Sequence, residues 1–289
     1  MTQDQALQIL KQGHSVYLTG AAGSGKTYLL NKYVQYLKAK GINVGVTAST
    51  GIAATHIGGL TIHSWSGLGI KTKLDKYDLD KIATSEYIVK RVRRTKVLII
   101  DEISMLSTNM LDMVDMVCRE IKQSSESFGG IQIILVGDFF QLPPIVKRNY
   151  EENKQTSLMG TGEAQNSGAF AYGASAWGRA QLVVCYLTEQ HRQDEKDFLS
   201  VLSGIRANNI SKEHLDHITS RHIEYDDFPE NITKLFSHNI DVDRVNNTEL
   251  EKLEEEIKIF RMLGSGNDKV VETLKKSCLS PEILELKIG

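Results

Sequence analysis

No apolar run in this 289-residue chain approaches the roughly 20 residues that a membrane-spanning helix needs, and no secretory leader opens it. Neither a membrane partner nor a secretory route is expected. Cysteine is sparse: Cys118, Cys185 and Cys278 are odd in number, widely spaced and without metal-ligand spacing. That pattern excludes a disulfide framework or a zinc cluster and leaves buried thiols in a reducing compartment. Net positive charge is missing as well, the formal value being -2 at pH 7. Any attraction to nucleic acid must therefore come from a local basic groove. Internal repeats and low-complexity tracts are absent. A cytoplasmic location, the nucleoid in a bacterium or the nucleus or mitochondrion in a eukaryote, is expected by default.

What is present is ordinary globular composition, 41% hydrophobic and 24% charged, which is ample for a buried core. The length predicts one large or two moderate domains. The chain is organised around residues 15–30, SVYLTGAAGSGKTYLL. A short apolar strand (Val16, Tyr17, Leu18) leads into Gly20-Ala21-Ala22-Gly23-Ser24-Gly25-Lys26-Thr27, and a helix opens at once. This is GxxxxGK[ST] in the strand–loop–helix setting that the motif requires. The glycines let backbone N–H groups face phosphate oxygens, and the helix N-terminus adds its positive dipole end. Lys26 is placed to reach the β- and γ-phosphates, and the Thr27 hydroxyl to ligate Mg²⁺. A nucleoside-triphosphate site is the reading, against a bare glycine-rich turn.

Residues 2–13 read as a short amphipathic helix, 31–40 as the continuation of the helix after the phosphate loop, and 42–48 as a buried strand. Residues 50–69 are rich in Gly, Thr and Ser and read as loop. Residues 71–87 are charged and mostly helical or irregular. The basic run KRVRRTK at 90–96 fits a helix C-terminus carrying cations matched to the dipole. Residues 97–100 are continuously apolar and end in Asp101-Glu102, a strand delivering two carboxylates from its C-terminal end. Lying about 75 residues after the phosphate loop, the pair fits a second NTPase element. Asp101 is then the Mg²⁺ residue and Glu102 the group that orients and deprotonates water. Residues 108–122 predict an amphipathic helix burying Leu111, Val114, Cys118 and Ile121. A third strand at 131–136 leads to Gly137-Asp138-Phe139-Phe140-Gln141, where Gln141 is placed to sense a γ-phosphate. Strands at 183–187 and 232–236 and helices around 198–205 and 241–256 complete the pattern. The alternation argues for an α/β fold with a parallel, doubly wound sheet.

Five segments, GAAGSGKT, TASTGIAATHIGGLTIHSWSGLG, IIDEISML, VGDFFQLPPI and LTEQHRQ, occur in this order and resemble the petite-integration-frequency (Pif/RecD-like) helicases of superfamily 1. The resemblance covers about residues 3 to 250. The segment LDMVDMVCREIKQSSESFGGIQIILVGD is similar to the family's signature region. It implies a RecA-like P-loop sheet flanked by helices and then an incomplete second RecA-like domain. The implied divisions are 1–180, with a small wedge at 64–80 and a mobile linker at 147–169, then 181–250, then 251–289 as the start of an insertion domain. The implied activity is ATP-dependent translocation 5′ to 3′ on single-stranded DNA, by a monomer acting at DNA forks, with ATP and Mg²⁺ as cofactors.

The resemblance also assigns residues. Gly23, Ser24, Gly25, Lys26 and Thr27 match the phosphate loop, Asp101 and Glu102 the metal and base positions, and Gln141 the sensor. Arg192 matches an arginine that reaches the γ-phosphate from the second domain. Gln3 is similar to the adenine-reading glutamine, with Gln5 as its competitor. Thr50, Gly51, His63 and Ser64 match motifs that track the DNA backbone. Trp65 is either a base-stacking residue or a core aromatic. The family's last two helicase motifs have no match here, so the chain resembles a truncated member. Two rival readings are a nucleotide- and DNA-binding module without efficient turnover, and an unrelated P-loop ATPase or kinase.

Overall fold

A computed structural model describes residues 1–69, 71–144, 170–191, 195–223, 232–236, 239–266, 268, 271–272, 275, 278 and 280–288. The chain forms two units, Met1–His217 and Ile218–Gly289. The first holds a six-stranded sheet in the order β3-β2-β4-β5-β1-β6. Its strands are β1 (Val16–Gly20), β2 (Val44–Ala48), β3 (Leu60–Thr61), β4 (Val97–Asp101), β5 (Gln132–Val136) and β6 (Val183–Leu187). Every neighbouring pair is parallel.

The apolar runs become central strands because each strand's side chains alternate between two covered faces. Val16 and Leu18 of β1, Val97 and Ile99 of β4, and Ile134 and Val136 of β5 point into one core. Helices α1 (Gln3–Lys11) and α2 (Lys26–Ala39) cover that face through Leu7, Leu10, Leu29, Leu30, Tyr33 and Leu37. Tyr17, Leu98, Ile100, Ile133 and Leu135 point into the opposite core. There α7 (Thr108–Lys122) buries Leu111, Val114, Cys118 and Ile121 as its periodicity predicts. Helices α5 (Lys76–Thr84) and α6 (Glu86–Arg94) pack beside α7.

The structure departs from the sequence reading at several points. Residues 50–69 are not a loop: they carry the short helices α3 (Gly51–His56) and α4 (Ile62–Ser66) on either side of β3. Thr50 and Thr61 start those helices, their hydroxyls accepting from the N–H groups of Ala53 and Ser64. Trp65 is 2% exposed, and Gly45 is bare where the indole packs, since a Cβ there would lie 2.8 Å from Nε1. Trp65 is therefore a core aromatic and has no face free for a base. Strand β6, read as opening a second domain, pairs along its length with β1 in the first unit's sheet. Residues 232–236 form no strand and are exposed. Cys118 and Cys185 are buried as expected, but Cys278 is exposed.

The second unit contains the helix Asn239–Lys252, shorter at its C-terminal end than the predicted 241–256, and an antiparallel pair, β7 (Lys258–Arg261) with β8 (Ile283–Leu286). The linker expected at 147–169 lies outside the described residues.

Candidate nucleotide and nucleic-acid site

Strands β4, β5 and β1 are consecutive neighbours, so the loops that leave their C-terminal ends stand side by side. These are the Asp101-Glu102 turn, the Gly137–Gln141 loop and the phosphate loop. The last wraps between β1 and α2, and Gly25, at φ +82°, forms the left-handed N-cap of α2. A side chain at Gly25 would strike the Gln3 amide. Only glycine meets both demands.

Lys26 is half-buried, and its amine donates to the carbonyls of Gly20 and Ala21 at 2.9 and 3.1 Å. Burial pushes its pKa down, while Asp138, Glu102 and Asp101 around it push it back up. Thr27 is exposed one residue further along α2. The Ser24 hydroxyl is buried without a partner among the described residues. Amine, spare hydroxyl, bare glycine and helix N-terminus together suit a polyphosphate.

Asp101 ends β4 almost fully buried, and burial raises its carboxyl to about 6. Its Oδ1 accepts the Glu102 N–H at 2.9 Å. Glu102 takes a left-handed backbone, φ 53° and ψ 47°, which costs a non-glycine residue about 1 kcal/mol or more. A buried carboxylate in the field of the Lys26 amine fits a divalent cation bound to phosphate, because the cation would restore the charge that burial disfavours. The Asp101 carbonyl also accepts the Ser49 N–H at 3.1 Å, joining this turn to the start of the Thr50 segment.

In the third loop Asp138 is 2% exposed. Burial alone would raise its pKa, but hydrogen bonds from Arg206, the Phe140 N–H and Gln141 outweigh it and hold the carboxyl below the usual range. Gln141 Nε2 donates to Asp138 Oδ2 at 3.1 Å, and Arg206 Nη1 donates to the same oxygen at 2.6 Å. Neither Asp138 nor Arg206 carries a role that the sequence motif alone assigns. Arg206 closes an unremarkable amphipathic helix, Lys196–Arg206, and only the tertiary fold brings it here.

The two glutamines near the N-terminus separate. Gln5 is spent on a capping box, its Oε1 accepting from the Thr2 N–H at 2.9 Å. Gln3 instead faces the phosphate loop, with Nε2 3.3 Å from the Ser24 carbonyl. The segment after β6 also lies on that loop: Gln190 Nε2 donates to Ala22 O and the His191 N–H to Gly23 O, both at 2.9 Å. Arg192 lies outside the described residues.

Thr50, Gly51, His63 and Ser64 follow β2 and β3 on the same edge of the sheet, at the side away from β6. Gly51 and Ser64 are exposed, whereas His63 is partly buried and its pKa is lowered by burial. Arg91, buried on α6, donates from Nη2 to the Ser64 carbonyl at 2.9 Å and fixes that helix.

A family model for PIF1-like helicases matches residues 3–216. The chain is 43% identical over its whole length to the ATP-dependent DNA helicase Pif1 of a Psychrobacter species, and spans 43% of that protein. To the yeast ATP-dependent DNA helicase PIF1 it is 35% identical, with 99% of this chain and 32% of that one covered. Among solved structures, Pif1 helicase from Candida albicans superposes with a TM-score of 0.79 at 30% identity, covering 99% of this chain and 63% of that one. Bacteroides Pif1 in complex with ADP-AlF4 gives 0.77 at 29%, and the same helicase with ADP-AlF3 and single-stranded DNA gives 0.72 at 30%, each with the same coverage. The chain thus spans less than two thirds of each of these relatives.

Proposed function

This chain belongs to the PIF1-like helicase family, and we propose that it supplies the nucleotide site and one DNA-tracking edge of an ATP-driven 5′-to-3′ DNA helicase. The observation that carries this reading is the adjacency of three loops at one sheet edge, with Lys26 among Asp101, Glu102 and Asp138.

In this reading Lys26 leaves its carbonyl partners for the β- and γ-phosphates, and Gln3 reads the adenine. Thr27 and Asp101 would hold Mg²⁺, which would neutralise phosphate charge there. Glu102 orients the attacking water and takes its proton. Gln141 senses the γ-phosphate, and Arg192 stabilises charge on the transferring group. Thr50, Gly51, His63 and Ser64 follow the backbone of single-stranded DNA without reading bases. The Ser49–Asp101 hydrogen bond is a direct route between the two sites. ATP favours a closed arrangement and hydrolysis an open one, and differential DNA affinity between the two makes a step.

Residues 1–180 serve as the first RecA-like domain, with 64–80 as a strand-separating wedge and 147–169 as a linker. Of residues 181–250, those past β6, which joins the first unit's sheet, begin the second domain, and 251–289 an insertion. The protein works as a monomer at forks. These 289 residues alone are deficient in unwinding, a reading supported by their span of less than half of the curated relatives named above.

The test is steady-state ATP turnover with and without an oligothymidine strand, beside Lys26→Ala. DNA-stimulated turnover that the variant loses supports the motor reading. Tight binding of both ligands with no turnover favours a binding module, and turnover indifferent to DNA overturns the helicase assignment.

A further inference from the structure

Arg206 lies where the sensor loop and the helix Lys196–Arg206 meet. Its Nη1 donates to Asp138 Oδ2 at 2.6 Å, and its guanidinium lies 4.3 Å over the Phe140 ring and 5.8 Å from the Tyr186 ring. Asp138 Oδ1 accepts the Phe140 N–H at 3.2 Å. Gln141 donates to the same Oδ2 as Arg206, at 3.1 Å. The side chain meant for the γ-phosphate is therefore parked on a buried carboxylate that an arginine already neutralises.

The division of that oxygen decides how easily Gln141 leaves. With Arg206 in place, the charge of Asp138 is met by a short charge-assisted bond, and the longer amide contact is a secondary one. Without Arg206 the carboxylate is buried with Gln141 as its remaining side-chain donor among the described residues, and releasing it would expose the full cost of an unpaired charge. We propose that Arg206 is a positioning residue that frees Gln141 for the γ-phosphate and ties the helix Lys196–Arg206 to the nucleotide state. Lysine cannot replace it fully, because the planar guanidinium both stacks on Phe140 and aims a fixed donor at Asp138. The inference rests on the ATP-site reading above.

The experiment titrates ADP and a non-hydrolysable ATP analogue against the purified full-length protein, with melting temperatures recorded for each variant. Arg206→Gln is expected to keep ADP affinity within about twofold and to weaken the analogue about tenfold, the equivalent of roughly 1.4 kcal/mol. Arg206→Lys recovers part of the loss. Phe140→Ala, an exposed position that leaves the fold intact, shifts the analogue in the same direction by less. In a Gln141→Ala background, Arg206→Gln has no further effect on the analogue, because the arginine acts through the glutamine. Equal loss of both nucleotides, no change in either, or a full effect of Arg206→Gln without Gln141 overturns the proposal. Should Arg206→Gln not fold, Arg206→Lys and Phe140→Ala decide by the same criterion. If the parent binds neither nucleotide, the ATP-site reading fails and takes this inference with it; if it binds both, only the role of Arg206 is at stake.

Discussion

The Lys26 amine donates to the carbonyl of Gly20, six residues back along its own loop, at 2.9 Å. The acceptor is neutral backbone, so the ammonium is held without a direct ion pair among the described residues while three carboxylates sit in its field. A phosphate is a stronger acceptor than the carbonyl it would replace. Lys26→Ala therefore leaves the fold nearly unchanged, its melting temperature within about 3 °C, because one partly exposed bond to backbone contributes about 1 kcal/mol. Triphosphate affinity falls by about a hundredfold or more, as expected when the charge-assisted contact to phosphate is lost. Calorimetric titration with ATP and thermal melts check both; a melt unchanged with normal affinity counts against the loop as the phosphate site.

Glu102 and Asp101 are neighbours with different surroundings, which predicts different phenotypes. Glu102 is half-buried, while Asp101 is enclosed at the end of β4. Glu102→Gln keeps the size and the left-handed turn but removes the basic oxygen. ATP affinity stays within about twofold, and turnover falls by roughly 10²–10⁴, the usual weight of a general base. Parallel loss of affinity in a folded variant would contradict the role.

The burial of Asp101 makes a pH prediction. Its carboxyl is raised to about 6, so it takes up a proton as pH falls through 6 in the metal-free protein. The folded state then binds more protons than the unfolded one between about 4 and 6, and its stability falls as pH rises through that window. Asp101→Asn, which keeps an oxygen for the Glu102 N–H, should melt about 5 °C higher than the parent at pH 8 and equally at pH 4. Mg²⁺-dependent nucleotide binding should weaken toward about tenfold per pH unit below 6, because the metal has to displace that proton. Identical melting curves for the two proteins at both pH values would remove the buried-charge argument.

The fold was legible wherever burial alone dictates the pattern. Val97, Leu98, Ile99 and Ile100 read as a strand because both faces are covered, and each is at most 3% exposed. The candidate phosphate loop and the Asp101-Glu102 pair could be proposed from the sequence because their residues are contiguous. Residues 50–69 misled because Gly, Thr and Ser have poor helix propensity, yet Thr50 and Thr61 were present as N-cap signals. Arg206 was illegible for a different reason: its partner lies 68 residues away, and no periodicity encodes a pair that only the sheet brings together. The partner of β6 was hidden in the same way, since a strand's own pattern does not say which sheet it joins.

Arg91 shows how a basic run can do something other than match a dipole. Of the cations in KRVRRTK it is buried, 8% exposed, with its guanidinium 4.7 Å from the Tyr87 ring. Its Nη2 anchors the Ser64 carbonyl of α4, while its Nε has no partner among the described residues. An incompletely satisfied buried charge contributes little net stability, and an apolar side chain of similar length often replaces such a group at no cost. Arg91→Met should therefore fold with a melting temperature close to the parent's. It should nevertheless loosen α4 at the Ser64 carbonyl, while Ile62 and Trp65 keep the helix seated in the core. Single-stranded DNA affinity is expected to fall about three- to tenfold, the weight of one hydrogen bond in positioning, with ATP affinity unchanged. Anisotropy of a labelled oligothymidine, followed against salt, measures this. If DNA affinity survives in a variant whose α4 is demonstrably loosened by hydrogen exchange, the DNA does not run along the Thr50–Ser64 edge, and the basic groove has to be sought elsewhere on the first unit.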